Sequence, residues 1–329
     1  MIYQTVTISA VLAVATATSL STSSPEAIKA MFETFKRDHG RHYATMAEEL
    51  DHFDIFVSNL KQIDERNAVE LANGGSAVHG ITMFSDMTQA DFEDMYLSKL
   101  DASKRIGNST IVDVPPYTGV QGLVDWTGKY TTAVKNQGYC GSCWAFSASE
   151  QIESDAMRTL GVSYTLSPEQ LVECDTRSSG CNGGWPEWAY DYVKRAGGIE
   201  TESDYPYTSY SGKVGGTCHA SSSKFKIKVT GYSSIKGESS MGSYVSSTGP
   251  LSICLDASTW NSYTGGIMSS CGKTINHAVQ AVGVDTSSYW KVRNSWGPSW
   301  GESGFIRLKY GQNTCGLTND PAYTTVQKA

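Results

Sequence analysis

"NQGYCGSCWAFSASEQIESDAM", residues 136–157, decides how the rest of the chain is read. Two cysteines, Cys140 and Cys143, stand three residues apart, and the second opens a helical pattern. Ala148, Ile152, Ala156 and Leu160 fall on one face and Gly161 ends it. Ser142 stands where it can cap that helix. Such a pair serves as a redox couple, as half of a zinc site, or as a structural thiol beside a reactive one. At a helix N-terminus, unpaired N–H groups and the macrodipole favour the thiolate, so Cys143 has part of what a nucleophile needs.

The rest is a base. Residues 119–329 contain two histidines. His219 follows Cys218 in the polar stretch "GGTCHASSS", with no hydrophobic framing. His277 opens the alternating segment "HAVQAVGV", where a strand can aim its ring. In "RNSWGPSWG", Asn294 ends the following strand, placing an amide that can hold the imidazole's other nitrogen. Trp296 and Trp300 can shield that bond from water.

The whole chain sets the frame. With 329 residues, 40% of them hydrophobic, it can bury a large core spread over more than one domain. A net charge of −7 with no basic run excludes nucleic acid as partner. The charge is uneven: residues 1–118 carry 9 Lys/Arg and 16 Asp/Glu, and residues 119–329 carry 17 of each. All eight cysteines lie after residue 118. The start, "MIYQTVTISAVLAVATATSL", has a short apolar run before Ala15-Thr16-Ala17, the pattern of a signal peptide over residues 1–17. That run is well short of the ~20 residues a membrane span needs, and no later one is longer. A secretory protein with persistent disulfides is expected.

Helices are expected over Pro25–Gly40, with Ser24 as cap and Pro25 at the first helical position, and over Met46–Leu71. "GITMFSDMTQADFEDMYL" reads as a short strand before another helix. Residues 100–120, with Pro115-Pro116 and the sequon Asn108-Ser109-Thr110, read as an extended linker. Further helices are expected from Cys143 to Leu160, Ser167 to Glu173 and Pro186 to Ala196. From about residue 225 the pattern turns to short strands: "KFKIKVTGY", "LSICLDA", "HAVQAVGV", "SYWKVRNSW" and "GFIRLKYG". Helices first and strands second predict an α+β fold with a helical and an antiparallel β subdomain.

"QGYCGSCWAF", "NHAV" and "NSWGPSWGESGF" resemble the active-site blocks of papain-family cysteine proteases, close to the cathepsin L branch. The blocks stand in the family's order and at its spacings. The resemblance covers nearly all of residues 20–329. It implies a papain-like two-domain fold, with a helical left domain over about 127–228 and an antiparallel β-barrel right domain over about 229–320. A mainly helical inhibitory propeptide, residues 18–118, precedes the mature peptidase, residues 119–329. The roles it implies are Cys143 as nucleophile, His277 as general base and later acid, and Asn294 as orienter. Gln137, with the Cys143 backbone N–H, forms the oxyanion hole. The implied disulfides are Cys140–Cys181, Cys174–Cys218 and Cys271–Cys315, which leave Cys143 reactive and Cys254 over. A zinc site lacks a second cysteine pair, and a redox site lacks its βαβ setting, so neither reading is kept. No metal or cofactor is implied.

The first third fits the interspersed pattern of cathepsin L-type propeptides at Glu48, Phe56, Asn59, Ile63 and Asn67, with His52 where that pattern usually has Arg. Gly80, Phe84 and Asp86 match the companion motif, with Thr82 in place of Asn. Such propeptides run backwards through the cleft. Release on acidification is expected, as carboxylates lose charge and His52 gains it, with processing between about Asn108 and Gln121. For substrate, the resemblance implies backbone pairing at Gly183 and Gly184. It also implies a P2 pocket walled by Trp185, Pro186, Cys254 and Ile275, with Asp320 at its base. Leu, Phe or Val is expected at P2, and Arg where Asp320 is charged and not turned to solvent. Asn276 stands where relatives usually have Asp, which bears on the upper pH limit, and Trp296 lies at the same cleft. The partners implied are protein and peptide substrates, the chain's own propeptide and cystatin-type inhibitors, with the protease a monomer. The route is secretory, to a lysosome, a phagosome or outside the cell. An endopeptidase is expected, since no cleft-blocking insert is found. The reading from another class is a catalytically silent relative that binds or inhibits.

Overall fold

Helix α1 (Pro25–Asp38) begins where Ser24 accepts a hydrogen bond from the Ala27 N–H at 3.2 Å and Pro25 fills the first helical position. Helix α2 (Met46–Ala72) begins with Thr45 accepting from the Glu48 N–H at 3.1 Å. The Glu48 carboxylate reaches back to the Ala44 N–H at 2.7 Å. The two helices cross over a small core of Phe32, Phe35, Phe56, Leu60 and Ile63. The computed structural model from which this is drawn describes residues 19–99, 109–119 and 122–329. The expected leader, residues 1–17, and the sequon asparagine, Asn108, lie outside them.

After α2 the chain forms strand β1 (Val78–His79) and helix α3 (Gln89–Tyr96). The motif residues of this region hold the propeptide together. Asn59 donates to the Ser85 and Met87 carbonyls at 2.9 and 2.8 Å. Asn67 brackets the His79 backbone, donating to its carbonyl at 2.9 Å and accepting from its N–H at 2.8 Å. Asp86 is buried and accepts from the Tyr43 hydroxyl at 2.9 Å, with Arg41 as its ion-pair partner at 3.3 Å. His52 lies against the same residue, its Nδ1 2.8 Å from the Asp86 carbonyl. The Gly80 N–H donates to the Ser262 carbonyl at 2.8 Å, and the Thr82 hydroxyl donates to the Asn261 carbonyl. Both contacts tie the propeptide to the protease.

The protease unit is mixed, as expected. Its helices are α4 (Cys143–Leu160), α5 (Pro168–Cys174) and α6 (Pro186–Ala196). Gly161 ends α4 in the left-handed conformation. One expectation is corrected here: Ser142 occupies the N-cap position but makes no side-chain cap bond. Its hydroxyl lies 2.8 Å from that of Tyr207. Helix α4 is also not amphipathic in place. Residues from Cys143 to Ala156 are buried all round, including Glu150, Gln151, Glu153 and Asp155.

The strands read from sequence are present as β4 (Ile227–Ile235), β5 (Leu251–Leu255), β8 (His277–Asp285), β9 (Tyr289–Arg293) and β10 (Phe305–Lys309). Strands β2 (Thr110–Val112), β3 (Val124–Asp125), β6 (Tyr263–Gly265), β7 (Ile267–Met268) and β11 (Asn319–Lys328) complete the set among the described residues. One sheet runs β2-β4-β11-β5-β8-β9-β10-β7, with β3 on β8. It is antiparallel except for β2 on β4 and β7 on β10. Strand β6 leaves that sheet to pair with propeptide strand β1. Helix α7 (Glu238–Ser247) has no counterpart in the sequence reading. The result is a helical layer around α4 packed against the sheet, so the N-terminus of α4 faces the start of β8. Among the described residues no helix is long and apolar enough to cross a membrane.

Candidate active site

Cys143 begins α4 and is fully buried. Its position is fixed from behind by the Cys140–Cys181 disulfide; Cys174–Cys218 and Cys271–Cys315 close the other two loops. Cys143 and Cys254 remain as thiols. The backbone N–H groups of Ala278 and Trp144 and the hydroxyl of Ser98 favour the thiolate of Cys143. Ala278 follows His277, so β8 carries the imidazole up to the sulfur.

His277 is fully buried, and its Nε2 lies 2.8 Å from Asn294 Oδ1. The bond is shielded on one side by Trp296, whose ring centre lies 4.9 Å from that of His277, and Trp296 packs edge-on against Trp300. Trp260, absent from the sequence reading, adds an edge-on contact to His277 at 6.0 Å. With Nε2 engaged, Nδ1 is the ring nitrogen left for proton traffic. It has no hydrogen-bond partner among the described residues.

Gln137 is oriented by Ser295, whose hydroxyl donates to Oε1 at 2.6 Å. The Gln137 Nε2 donates to the Cys140 carbonyl at 2.9 Å and to the Tyr96 carbonyl at 3.0 Å. Tyr96 belongs to the propeptide. Residues 96–99 cross the cleft: the Ser98 N–H donates to the Asn276 carbonyl at 2.7 Å, and Ser98 Oγ accepts from the Gly184 N–H at 3.3 Å. A Cβ at Gly183, where φ is +118°, would sit 2.5 Å from Ser98 Oγ and 3.1 Å from Lys99 N. Glycine is what lets two backbones approach there.

Covering the cleft changes the chemistry of the pair. Burial pushes the Cys143 thiol up to about 11, against the opposing pull of its N–H and hydroxyl neighbours. Burial also pushes His277 down to about 4, although Asn294 favours its charged form. In the covered state both groups are neutral near pH 7.

The candidate P2 residues lie on the other flank. Trp185 and Cys254 are buried in one apolar cluster, with Ile275 packed against it, and Pro186 begins α6. Asp320 is buried beside Cys254, its Oδ2 4.0 Å from the sulfur, and so is not turned to solvent. Asn276 accepts from the Ala257 N–H and donates to the Ser258 hydroxyl, both at 2.8 Å. His219 is remote from this cleft, stacked on Tyr205 beside the Cys174–Cys218 disulfide. Tyr96, Ser98 and Ser295 were not found from sequence. Only Ser295 carried a signal, its place beside Asn294.

Comparison with known proteins bears on the family and the fold. Residues 121–325 match the papain family cysteine protease profile, and residues 32–92 match the cathepsin propeptide inhibitor domain (I29). The chain is 34% identical to cysteine proteinase 1 of Dictyostelium discoideum, over 94% of this chain and 96% of that protein. It is 37% identical to cathepsin L 2 of Paramecium tetraurelia, over 89% and 91%. Its structure resembles digestive procathepsin L2 proteinase from Tenebrio molitor larval midgut, with a TM-score of 0.81 and 30% identity over 91% and 99% of the two chains. With both profiles matched in order and the fold shared along almost its whole length, the chain belongs to the papain family of cysteine proteases, as a zymogen with a cathepsin-type propeptide.

Proposed function

We propose that the mature chain is an endopeptidase in which a Cys143 thiolate, paired with protonated His277, attacks the peptide carbonyl. The observation that carries this reading is the course of residues 96–99. A peptide backbone lies across the catalytic sulfur with one carbonyl on the Gln137 amide, where a reacting carbonyl would be held.

Once the propeptide leaves, water re-enters the cleft and the burial penalty on both charged forms falls. The proton then passes from Cys143 to His277 Nδ1, and the ion pair gains its mutual attraction. The thiolate adds to the carbonyl carbon. The oxyanion is met by the Gln137 Nε2–H and the Cys143 N–H, a contribution of about 3 kcal/mol per donor in comparable sites. His277 Nδ1–H protonates the departing amine, leaving an acyl-thioester. His277 then takes a proton from water, the hydroxide adds to the thioester, and the sulfur leaves as thiolate. Asn294 holds the ring in the plane that serves both transfers.

The propeptide is read as an intramolecular inhibitor that runs opposite to a substrate, with Lys99 and Ser98 at Gly183 and Gly184. It is proposed to release in acid. His52 faces Asp86, its Nδ1 2.8 Å from the carbonyl and 3.9 Å from the carboxylate. The buried setting of Asp320 supports a P2 pocket that takes Leu, Phe or Val and, where Asp320 is charged, Arg. The cathepsin-like relatives and the propeptide support a secretory or lysosomal route; cystatin-type inhibitors are proposed as partners on the family resemblance alone.

The test is hydrolysis of short peptides after propeptide removal. Activity should vanish in Cys143→Ser and be blocked by an epoxide probe that labels Cys143 alone; turnover that survives in Cys143→Ser overturns the reading. Asp320→Ala should lower the Arg-over-Leu ratio at P2 about tenfold, the loss of a buried charged contact. An unchanged ratio removes Asp320 from the pocket.

A further inference from the structure

The propeptide also shows what the leaving-group side of the cleft accepts. Tyr96 ends α3 and is almost wholly buried. Its carbonyl sits on Gln137 Nε2, within one residue of the place where a peptide bond would be cut. It precedes Ser98 and Lys99, which lie at Gly184 and Gly183, and its ring packs on the protease side against Trp296 and Tyr139. The ring centres lie 6.1 Å from Trp296 and 5.6 Å from Tyr139, both edge-on.

Tyr139 is built as a fixed wall. Its N–H donates to the Tyr210 carbonyl at 2.9 Å, and the next residue is locked in the Cys140–Cys181 disulfide. The preceding residue, Gly138, has a φ of +62°, and a Cβ there would sit 2.6 Å from the Tyr210 carbonyl oxygen. The loop therefore lies tightly on its neighbour, and its backbone cannot move the ring away cheaply. Two further aromatic contacts of Tyr96, Phe84 and Phe92, come from the propeptide itself. So does the guanidinium of Arg41, which donates to the Tyr139 hydroxyl at 3.5 Å. All of these depart with the propeptide. What remains is an open slot with an indole on one side and a tyrosine ring, its hydroxyl freed, on the other.

We infer that Tyr139 is a specificity-determining residue that, with Trp296, selects an aromatic side chain, tyrosine before phenylalanine, immediately after the scissile bond. This rests on the peptidase reading above. The ring supplies edge-to-face contact, and the hydroxyl supplies a partner for a substrate phenol. A residue of the P2 pocket acts on the acyl half; Tyr139 acts on the half that leaves.

The experiment uses the processed enzyme and quenched-fluorescent peptides with one constant acyl half and Tyr, Phe, Leu or Ala after the cleaved bond. Rates are divided by the sites titrated with an epoxide probe. The parent should favour Tyr over Ala. Tyr139→Ala should lower the Tyr/Ala ratio of kcat/KM about 3- to 10-fold, the range of one aromatic pair. Tyr139→Phe should keep the Phe/Ala ratio and lower Tyr/Phe about threefold, the loss of one hydrogen bond. The ratio compares substrates on one protein, so a general loss of stability does not move it. A parent with no preference for Tyr over Ala, or a ratio unchanged in Tyr139→Ala, overturns the inference while leaving the peptidase intact. Failure to cleave any peptide, with Cys143 unlabelled by the probe, overturns the peptidase reading and this inference with it.

Discussion

A thiol whose pKa stands at about 11 is ionised at pH 7 in roughly one molecule in ten thousand. Alkylation of Cys143 in the intact zymogen should therefore rise about tenfold per pH unit from pH 7 to 10. The proposed ion pair makes the expected rate in the processed enzyme nearly flat across neutral pH. Burial slows the reagent at every pH, so the slope is the readout. A zymogen whose alkylation is flat from pH 6 to 8 would show that the covered pair is already charged. The residues behind this chemistry differ in how legible they were. Cys143, His277 and Asn294 could be picked out because each sits at the end of an element with a clear period, and only two histidines competed. Ser98 and Tyr96 could not. Their contacts span the gap between propeptide and protease, and nothing within a few residues of either marks them. For Ser142 the expectation failed through competition: the Tyr207 hydroxyl, far along the chain, takes the oxygen that would have capped the helix.

Helix α4 shows the same limit at the scale of an element. Its boundaries were legible, since Gly161 and the period of Ala148, Ile152 and Ala156 give them. Its environment was not, because nothing in the local sequence shows where Glu150, Glu153 and Asp155 find their partners. In the fold each is buried and answered by a distant partner. Asp155 accepts from the Thr324 N–H and hydroxyl at 2.7 and 2.8 Å, pinning α4 to β11. Arg293, which precedes Asn294, lies 3.3 Å from Glu150 and donates to Gln280 at 2.7 Å. Glu153 accepts from Lys135 at 2.6 Å, from the Leu166 N–H at 2.7 Å and from the Thr132 hydroxyl at 2.5 Å. Glu153→Ala would leave the Lys135 ammonium buried without its carboxylate, at a cost of about 3–5 kcal/mol. The urea midpoint of the processed protein should fall accordingly, with Glu153→Gln in between. A midpoint unchanged by Glu153→Ala would mean that Lys135 finds water or another partner at no cost. Strands β4, β5, β8, β9 and β10 were legible from alternation. Helix α7 was missed because its Ser- and Gly-rich sequence has weak helix propensity; Glu238 anchors it by accepting from Trp290 Nε1 and the Gly311 and Asn313 N–H groups. Strand β11 was masked by Pro321, which lies in a bulge where the register shifts between Asn319 and Ala322.

In the whole molecule, propeptide and protease meet along one continuous seam, and that seam contains a group that titrates against docking. Strand β1 pairs with β6, Glu70 accepts from the Ser269 and Ser270 N–H groups at 3.0 and 2.9 Å, and Arg66 donates to Ser262 at 2.7 Å. His79 is buried in the middle of this seam, its Nδ1 2.9 Å from the Ser262 hydroxyl. Burial first, and then the charge of Arg66, push His79 down to about 4. The charged groups lining the adjacent cavity are Arg66, Glu65 and Glu70, all from α2; the protease side contributes Thr259, Ser270, Cys271 and Gly272, none of them charged. A released propeptide returns His79 to its ordinary pKa of about 6.5. The docked form therefore binds the proton more weakly than the released form. The contribution of neutral His79 to docking is fully present above about pH 6.5, declines as the pH falls, and is lost by about pH 4. The interval is worth about 3 kcal/mol, or roughly three-hundredfold in the docking equilibrium. Autoprocessing of the zymogen should accelerate across that window. His79→Asn keeps a polar group near Ser262 but cannot take up the proton, and should reduce the acceleration between pH 6.5 and 4 at least tenfold. Glu70→Gln serves as the comparison, because it removes a carboxylate from the same seam while leaving His79 in place. If His79→Asn accelerates in acid as the parent does, the proton that opens this zymogen does not land on the imidazole.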